Sequence, residues 1–182
     1  MRGLDLIFFK ELSEFAATHK LLVSIVLFIL IGLGSPLLAE LTPLLVQQFG
    51  SATPGMEILM TDEPDTTDAL LQFHKNFVLL PILVILVSMG TVSSEVRHDV
   101  AKMVLTKPVS RTGYVLGKFF APALVYVLCT VVAAICCYIY TEVLFGSVWI
   151  AGFAAVTGLF ALYLMFYHAL TLFLSALFSS TA

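Results

Sequence analysis

Charge is what this sequence has least of. Asp, Glu, Lys and Arg make up 12% of its 182 residues, about half the 25% of an ordinary soluble domain. Its nine Lys and Arg form no basic stripe of the kind phosphate binding needs, which excludes a nucleic-acid partner. Also missing are a glycine-rich phosphate loop with Lys and Ser or Thr, a His pair at zinc spacing and a serine nucleophile elbow. The chain is therefore expected to be no enzyme, to hydrolyse no ATP itself and to need no cofactor or metal. Cysteine is equally uninformative as chemistry: Cys129, Cys136 and Cys137 all fall within one apolar segment, where a free thiol packs as a small hydrophobe. Repeats at solenoid periods and low-complexity tracts are absent.

Apolar residues take the place of charge. They reach 60% of the sequence and mean hydropathy is +1.04, so residence in a membrane is the default. A crossing helix needs about 20 mainly apolar residues. Four stretches qualify: 21–41, 77–92, 119–140 and 149–178. The second is short and is expected to extend into its flanks at Asn76 and Ser93, while the fourth is long enough to tilt.

Basic residues mark the cytoplasmic side. Arg97, Lys102, Lys107, Arg111 and Lys118 lie between the second and third spans, and Arg2, Lys10 and Lys20 precede the first. Between the first and second stand Glu57, Asp62, Glu63, Asp65 and Asp68, with Lys75 the one base. The expected arrangement is an integral protein of the plasma (inner) membrane with both termini cytoplasmic. It forms a single transmembrane domain, 1–182, with an external loop at 42–76 and a cytoplasmic region at 93–118. The fold class is all-α, a helical bundle of about four transmembrane helices with an N-terminal interfacial helix and a cytoplasmic coupling helix.

Residues 1–20 supply the interfacial helix. Leu4, Phe8, Leu12 and Phe15 share one face, and Lys10, Glu11, Glu14 and Lys20 are expected to keep the remainder wet. A solvated leader without membrane contact is the alternative. Asp5, Glu11 and Glu14 suit a cleaved secretory signal poorly. Late in the first span, Gly32, Gly34 and Pro36, with Pro43 beyond, should kink or unwind its external end. Pro81 and Pro122 sit one turn inside the second and third spans, where a missing amide donor costs least.

Few polar groups lie inside the spans. His168 is deep in the fourth, with Thr171, Ser175 and Ser179 following on one stripe. Such a stripe lines a path or hydrogen-bonds a neighbouring helix, and the sequence leaves both open. On the third span Tyr126, Thr130, Ala134, Cys137 and Thr141 form a comparable face suited to close helix contact. Glu95, His98 and Asp99 share a helical face that could hold a metal or move a proton, but Arg97 and Lys102 are near enough to pair the acids.

The segment from Met89 to Phe120, MGTVSSEVRHDVAKMVLTKPVSRTGYVLGKFF, is the richest. Val96, Val100, Met103 and Val104 recur at helical spacing among Arg97, Asp99 and Lys102, giving an amphipathic helix of about three turns. Lys107-Pro108 ends it, because a residue before proline avoids the helical region. Ser110 can cap a new helix from Arg111 that passes Lys118 into the third span.

Gly90, Glu95 and Arg97, the run Leu105-Thr106-Lys107-Pro108-Val109-Ser110-Arg111, and Gly117-Lys118 resemble the membrane subunits of type-2, export-type ATP-binding-cassette transporters. The resemblance covers essentially the whole chain and is sharpest from Gly90 to Lys118. It implies a permease subunit coupled to ATP hydrolysis by a separate cytoplasmic ATPase, in a membrane homo- or heterodimer embedded in the lipid bilayer. It also implies that 95–106 is the coupling helix, with Glu95, Arg97, Val100, Met103, Val104 and Thr106 at the ATPase contact. Lys107, Pro108, Ser110 and Arg111 would form its supporting turn.

Permeases of this kind usually carry six spans, so a chain with four is expected to be a truncated permease, a split subunit or a piece of a longer one. The rival reading is a non-transporting membrane scaffold or sensor that docks a cytoplasmic partner on the same segment. An intramembrane enzyme built on Glu95, His98 or His168 is a third, with residues poorly placed to converge.

Overall fold

A computed structural model describes residues 4–50, 65–89 and 111–177. Six helices account for nearly all of them: α1 Leu4–Ala17, α2 Lys20–Gly50, α3 Thr66–Phe77, α4 Leu80–Ser88, α5 Arg111–Phe145 and α6 Ile150–Leu177. There is no strand among the described residues. Four stretches are long and apolar enough to cross a membrane: Lys20–Leu45, Thr66–Ser88, Thr112–Phe145 and Ile150–Leu177. Their exposed surface is rich in Leu, Ile, Val and Phe, as helices bathed in hydrocarbon require. The chain is an all-α integral membrane protein.

Of the kink or unwinding expected late in the first span, unwinding does not occur. Pro36 and Pro43 both lie inside a continuous α2. Pro36 leaves the Gly32 carbonyl, and Pro43 the Ala39 carbonyl, without its helical N–H donor, and the hydroxyl just before each proline bonds the carbonyl one position earlier. Ser35 Oγ donates to the Ile31 carbonyl at 2.5 Å and Thr42 Oγ1 to the Leu38 carbonyl at 2.5 Å. Hydroxyls bonded four residues back in this way tend to bend a helix rather than replace the lost donors.

The second crossing starts earlier than apolar length alone suggests. Asp65 accepts from the Thr66 amide at 2.7 Å, and Asp68 Oδ2 accepts from the Asp65 amide at 3.2 Å, closing a capping box. The helix so launched runs from Thr66 through residues expected in the external loop. It pauses at Val78 and Leu79, whose amides donate to the Lys75 and Asn76 carbonyls. α4 then begins with Pro81 in its first turn, where the absent N–H is tolerated. α5 ends where the Gly146 amide donates to the Glu142 carbonyl at 3.1 Å, with Gly146 at φ 97° in the left-handed region that favours glycine.

The helices pack as two compact units. Of the described residues, the first takes 4–25, 80–89, 111–129 and 160–177, and the second 26–50, 65–79 and 130–159. In the second unit, α2 and α5 approach so closely at Gly32 that a Cβ there would lie 2.5 Å from the Ala133 carbonyl oxygen. Phe28 meets Phe77 edge-on at 5.9 Å, Phe73 lies against Phe77 and Phe153, and Asn76 Nδ2 donates to Ser35 Oγ at 3.0 Å. Glycine at the crossing admits this backbone approach, which is how membrane helices gain packing where water supplies no drive.

In the first unit, α1 docks on α5. A Cβ on Gly117 would sit 2.6 Å from Ile7 Cγ2, so glycine lets the two helices meet. The side chains α1 buries are Ile7, Glu11 and Phe15. Glu11 is thus a correction: expected on the wet face, it is 5% exposed. The residues four before and four after it are apolar, so it lies in the middle of a buried stripe. Leu6 and Phe9 are exposed instead, at 77% and 67%, and belong against lipid rather than protein.

Candidate functional site

The polar groups of the first unit concentrate in two linked places. At the first, Lys118 Nζ on α5 donates to Glu11 Oε1 on α1 at 2.9 Å, with both side chains almost fully buried. The ammonium also lies 5.4 Å above the Tyr114 ring. Lys10 Nζ stands 3.4 Å from the same carboxylate oxygen but is 42% exposed. A buried pair of this quality holds its helices in one register, because separating it strands two charges in an apolar surrounding.

At the second, three helices bring one polar side chain each to a point. Ser88 closes α4, Tyr126 lies midway along α5 and His168 lies in the second half of α6. The Ser88 hydroxyl is 2.9 Å from His168 Nδ1 and 3.1 Å from the Tyr126 hydroxyl. The imidazole stacks on Phe119 at 5.5 Å with planes 21° apart and meets Tyr126 edge-on at 5.5 Å. His168 is fully buried, and Nε2 has no hydrogen-bond partner of acceptable geometry, although the peptide groups of Phe119 and Lys118 act on the ring. Pro122 explains why a carbonyl is at hand there: it offers no N–H to the Lys118 oxygen one turn earlier.

Between the two places lies a small cavity of about 20 Å³ lined by Glu11, Glu14, Thr18, Lys20, Ser88 and Pro122 among others. Its walls mix polar and apolar groups, and it has room for one water molecule. Chemically, Ser88 links the Tyr126 hydroxyl to the imidazole. Covalent catalysis fits poorly, since Ser88 and His168 are 2% and 0% exposed and a nucleophile needs access to its substrate.

The expected stripe divides on inspection. His168 bonds to Ser88 on another helix, whereas Thr171 Oγ1 donates to the Tyr167 carbonyl of its own helix at 2.7 Å. Ser175 is half-buried. The third-span face is largely buried, with Tyr126, Thr130, Cys137 and Thr141 at 0–1% exposure. Glu95, Arg97, Val100, Met103, Val104, Thr106, Lys107, Pro108 and Ser110 lie outside the described residues, as do His98, Asp99 and Ser179. Arg111 is the first residue of α5. Among the described residues no cluster of His, Cys, Asp or Glu is grouped to hold a metal.

Sequence reasoning missed Ser88 and the role of Glu11. Ser88 was visible as the one polar residue of the run LPILVILVS. The pairing of Glu11 with Lys118 spans 107 positions and left no local signal.

Four hydrophobic crossings with buried polar contacts between them define a polytopic helical membrane protein. Within that class, the chain belongs to the ABC-2 family of transporter proteins, whose model matches residues 6–182. It is also similar to the uncharacterized transmembrane protein YxlG of Bacillus subtilis strain 168, at 25% identity over 158 residues. That alignment takes in 86% of this chain and 61% of YxlG, so the chain spans somewhat less than two thirds of that relative. No solved structure matches it.

Proposed function

We propose that this chain is the membrane-spanning permease part of an ATP-driven exporter, and that a separate cytoplasmic ATPase drives it through residues 95–106. Membership of the ABC-2 family over residues 6–182 carries this reading. In it Glu95, Arg97, Val100, Met103, Val104 and Thr106 contact the ATPase, and Lys107, Pro108, Ser110 and Arg111 turn the chain into α5. The N-terminus is cytoplasmic, the site of ATP hydrolysis belongs to the partner, and a second permease chain completes the membrane dimer.

Two observations give the reading a mechanical basis. α5 starts at Arg111, directly after the proposed contact, and one face of it is tied to α1 by the buried Glu11–Lys118 pair and the close approach at Gly117. A push on 95–110 would therefore move α1 and the start of α5 together rather than bend a single helix. Interfaces packed this tightly shift between discrete arrangements instead of deforming gradually. His168 serves in this scheme as a packing contact of the first unit through Ser88.

The test is affinity purification of the tagged chain from its native membrane, followed by identification of a co-purifying protein with a phosphate loop. Charge reversal at Glu95 and Arg97 should abolish recovery of that ATPase while leaving the chain in the membrane. Equal recovery after the whole 95–106 segment has been replaced would refute the coupling assignment.

A further inference from the structure

One cavity of the first unit is of a different kind from the small one beside Glu11 and Ser88. It has a volume of about 330 Å³ and is walled by the start of α5 and the last turns of α6, chiefly Val115, Phe119, Ala169, Leu172, Phe173 and Ala176. An apolar cavity of about 150 Å³ in a protein core already admits benzene while staying dry. This one is about twice that size, and its walls give water almost nothing to bond to.

Its setting limits what fills it. Both walls belong to membrane-spanning stretches, Thr112–Phe145 and Ile150–Leu177. The rim is continuous with the exposed apolar surface of the chain: Val115 is 59% exposed, Phe173 62%, and Phe166, two turns before Phe173 on α6, 63%. Exposed apolar surface on a membrane-spanning stretch is the kind that lipid covers, which makes acyl chains the apolar material at hand for the cavity mouth. Lys118 and Tyr114 form the one polar edge, and the Lys118 ammonium is already engaged with Glu11.

The geometry points to this cavity as a seat for one acyl chain of a membrane lipid, held between α5 and α6. Small side chains at Ala169 and Ala176 open the groove, and Leu172 between them forms its floor. The seated chain lies against Phe119, whose ring also stacks on that of His168. Occupancy is thus felt at the Ser88–Tyr126–His168 cluster, and on the other side at Lys118 and the α1 contact. The inference stands whether or not the chain transports anything.

The test uses the full chain reconstituted in vesicles of phosphatidylethanolamine and phosphatidylglycerol containing a small fraction of phosphatidylcholine with a diazirine on one acyl chain. After illumination, labelled peptides are mapped by mass spectrometry. Labelling on residues 112–119 and 169–176 should exceed several-fold that at Leu128 and Val132, which lie exposed on α5 outside the groove. Ala169→Trp and Ala176→Trp, each filling the groove from a different turn, should lower groove labelling several-fold, with labelling at Leu128 and Val132 unchanged.

Equal labelling in and out of the groove in the wild-type chain would overturn the proposal, and that comparison decides even where a tryptophan variant fails to insert. Undiminished groove labelling in both filled variants would overturn it too. So would efficient cross-linking between two copies through Ala176→Cys, which would put a second chain where the lipid is placed.

Discussion

Replacing Lys118 by methionine leaves the Glu11 carboxylate buried and deprived of its 2.9 Å partner. Removing one member of a buried pair costs about 3–5 kcal/mol, whereas replacing both by apolar groups of similar size is often neutral or stabilising. At about 2–4 °C per kcal/mol for a chain of this size, either Lys118→Met or Glu11→Gln should lower the melting temperature by about 6–20 °C. Lys118→Met belongs at the low end, because Lys10 Nζ remains 3.4 Å from Glu11. The double variant Glu11→Met, Lys118→Met should return close to the wild-type value. The chain carries its own reporter: Cys129 and Cys137 are buried at 5% and 0% exposure, so thiol labelling on heating in detergent, in a Cys136→Ser background, follows unfolding. Single variants that melt with the wild type, or a double variant whose loss equals the sum of the singles, would refute the claim that this pair locks α1 to α5.

The two glycine contacts should respond to rescue in opposite ways. Gly117→Ala collides with the Ile7 side chain and should regain its loss of about 1–3 kcal/mol when combined with Ile7→Ala. Gly32→Ala collides with the Ala133 backbone oxygen, so Ala133→Gly should not restore it in the same melting assay. Ser88→Ala strips the hub between Tyr126 and His168 and should cost about 1–3 kcal/mol, with partial recovery on adding Tyr126→Phe. Asp65→Ala removes the cap of α3 and should cost about 1 kcal/mol, read as faster amide exchange over residues 66–70.

The four crossings were legible because apolar length is a local property, and so was the burial of Tyr126, Thr130, Cys137 and Thr141, because their spacing keeps them on one face. The start of α3 was not. Asp65 and Asp68 were counted with the acids of an external loop, although their spacing is also that of a reciprocal cap. The persistence of α2 through Pro36 and Pro43 was not legible either, because tolerance of proline in a membrane helix is set by the helices packed around it, such as α5 at Gly32. Glu11 is the sharpest case. A charged residue on an amphipathic helix is read as facing water unless a buried counter-ion is known, and Lys118 is brought to it only by tertiary packing. His168 stood out by its rarity at that depth, while Ser88, its partner, looked like the end of an apolar run.

The most direct measurement for the proposed role is the ATP hydrolysis rate of the co-purified complex in proteoliposomes, with the native chain and with Glu95→Lys, Arg97→Glu. If residues 95–106 couple the membrane helices to a separate ATPase, the ATPase co-purifies with the native chain, and the paired reversal loses both the association and any change in hydrolysis that the chain imposes. An ATPase that binds and turns over identically with the reversed chain would contradict the account.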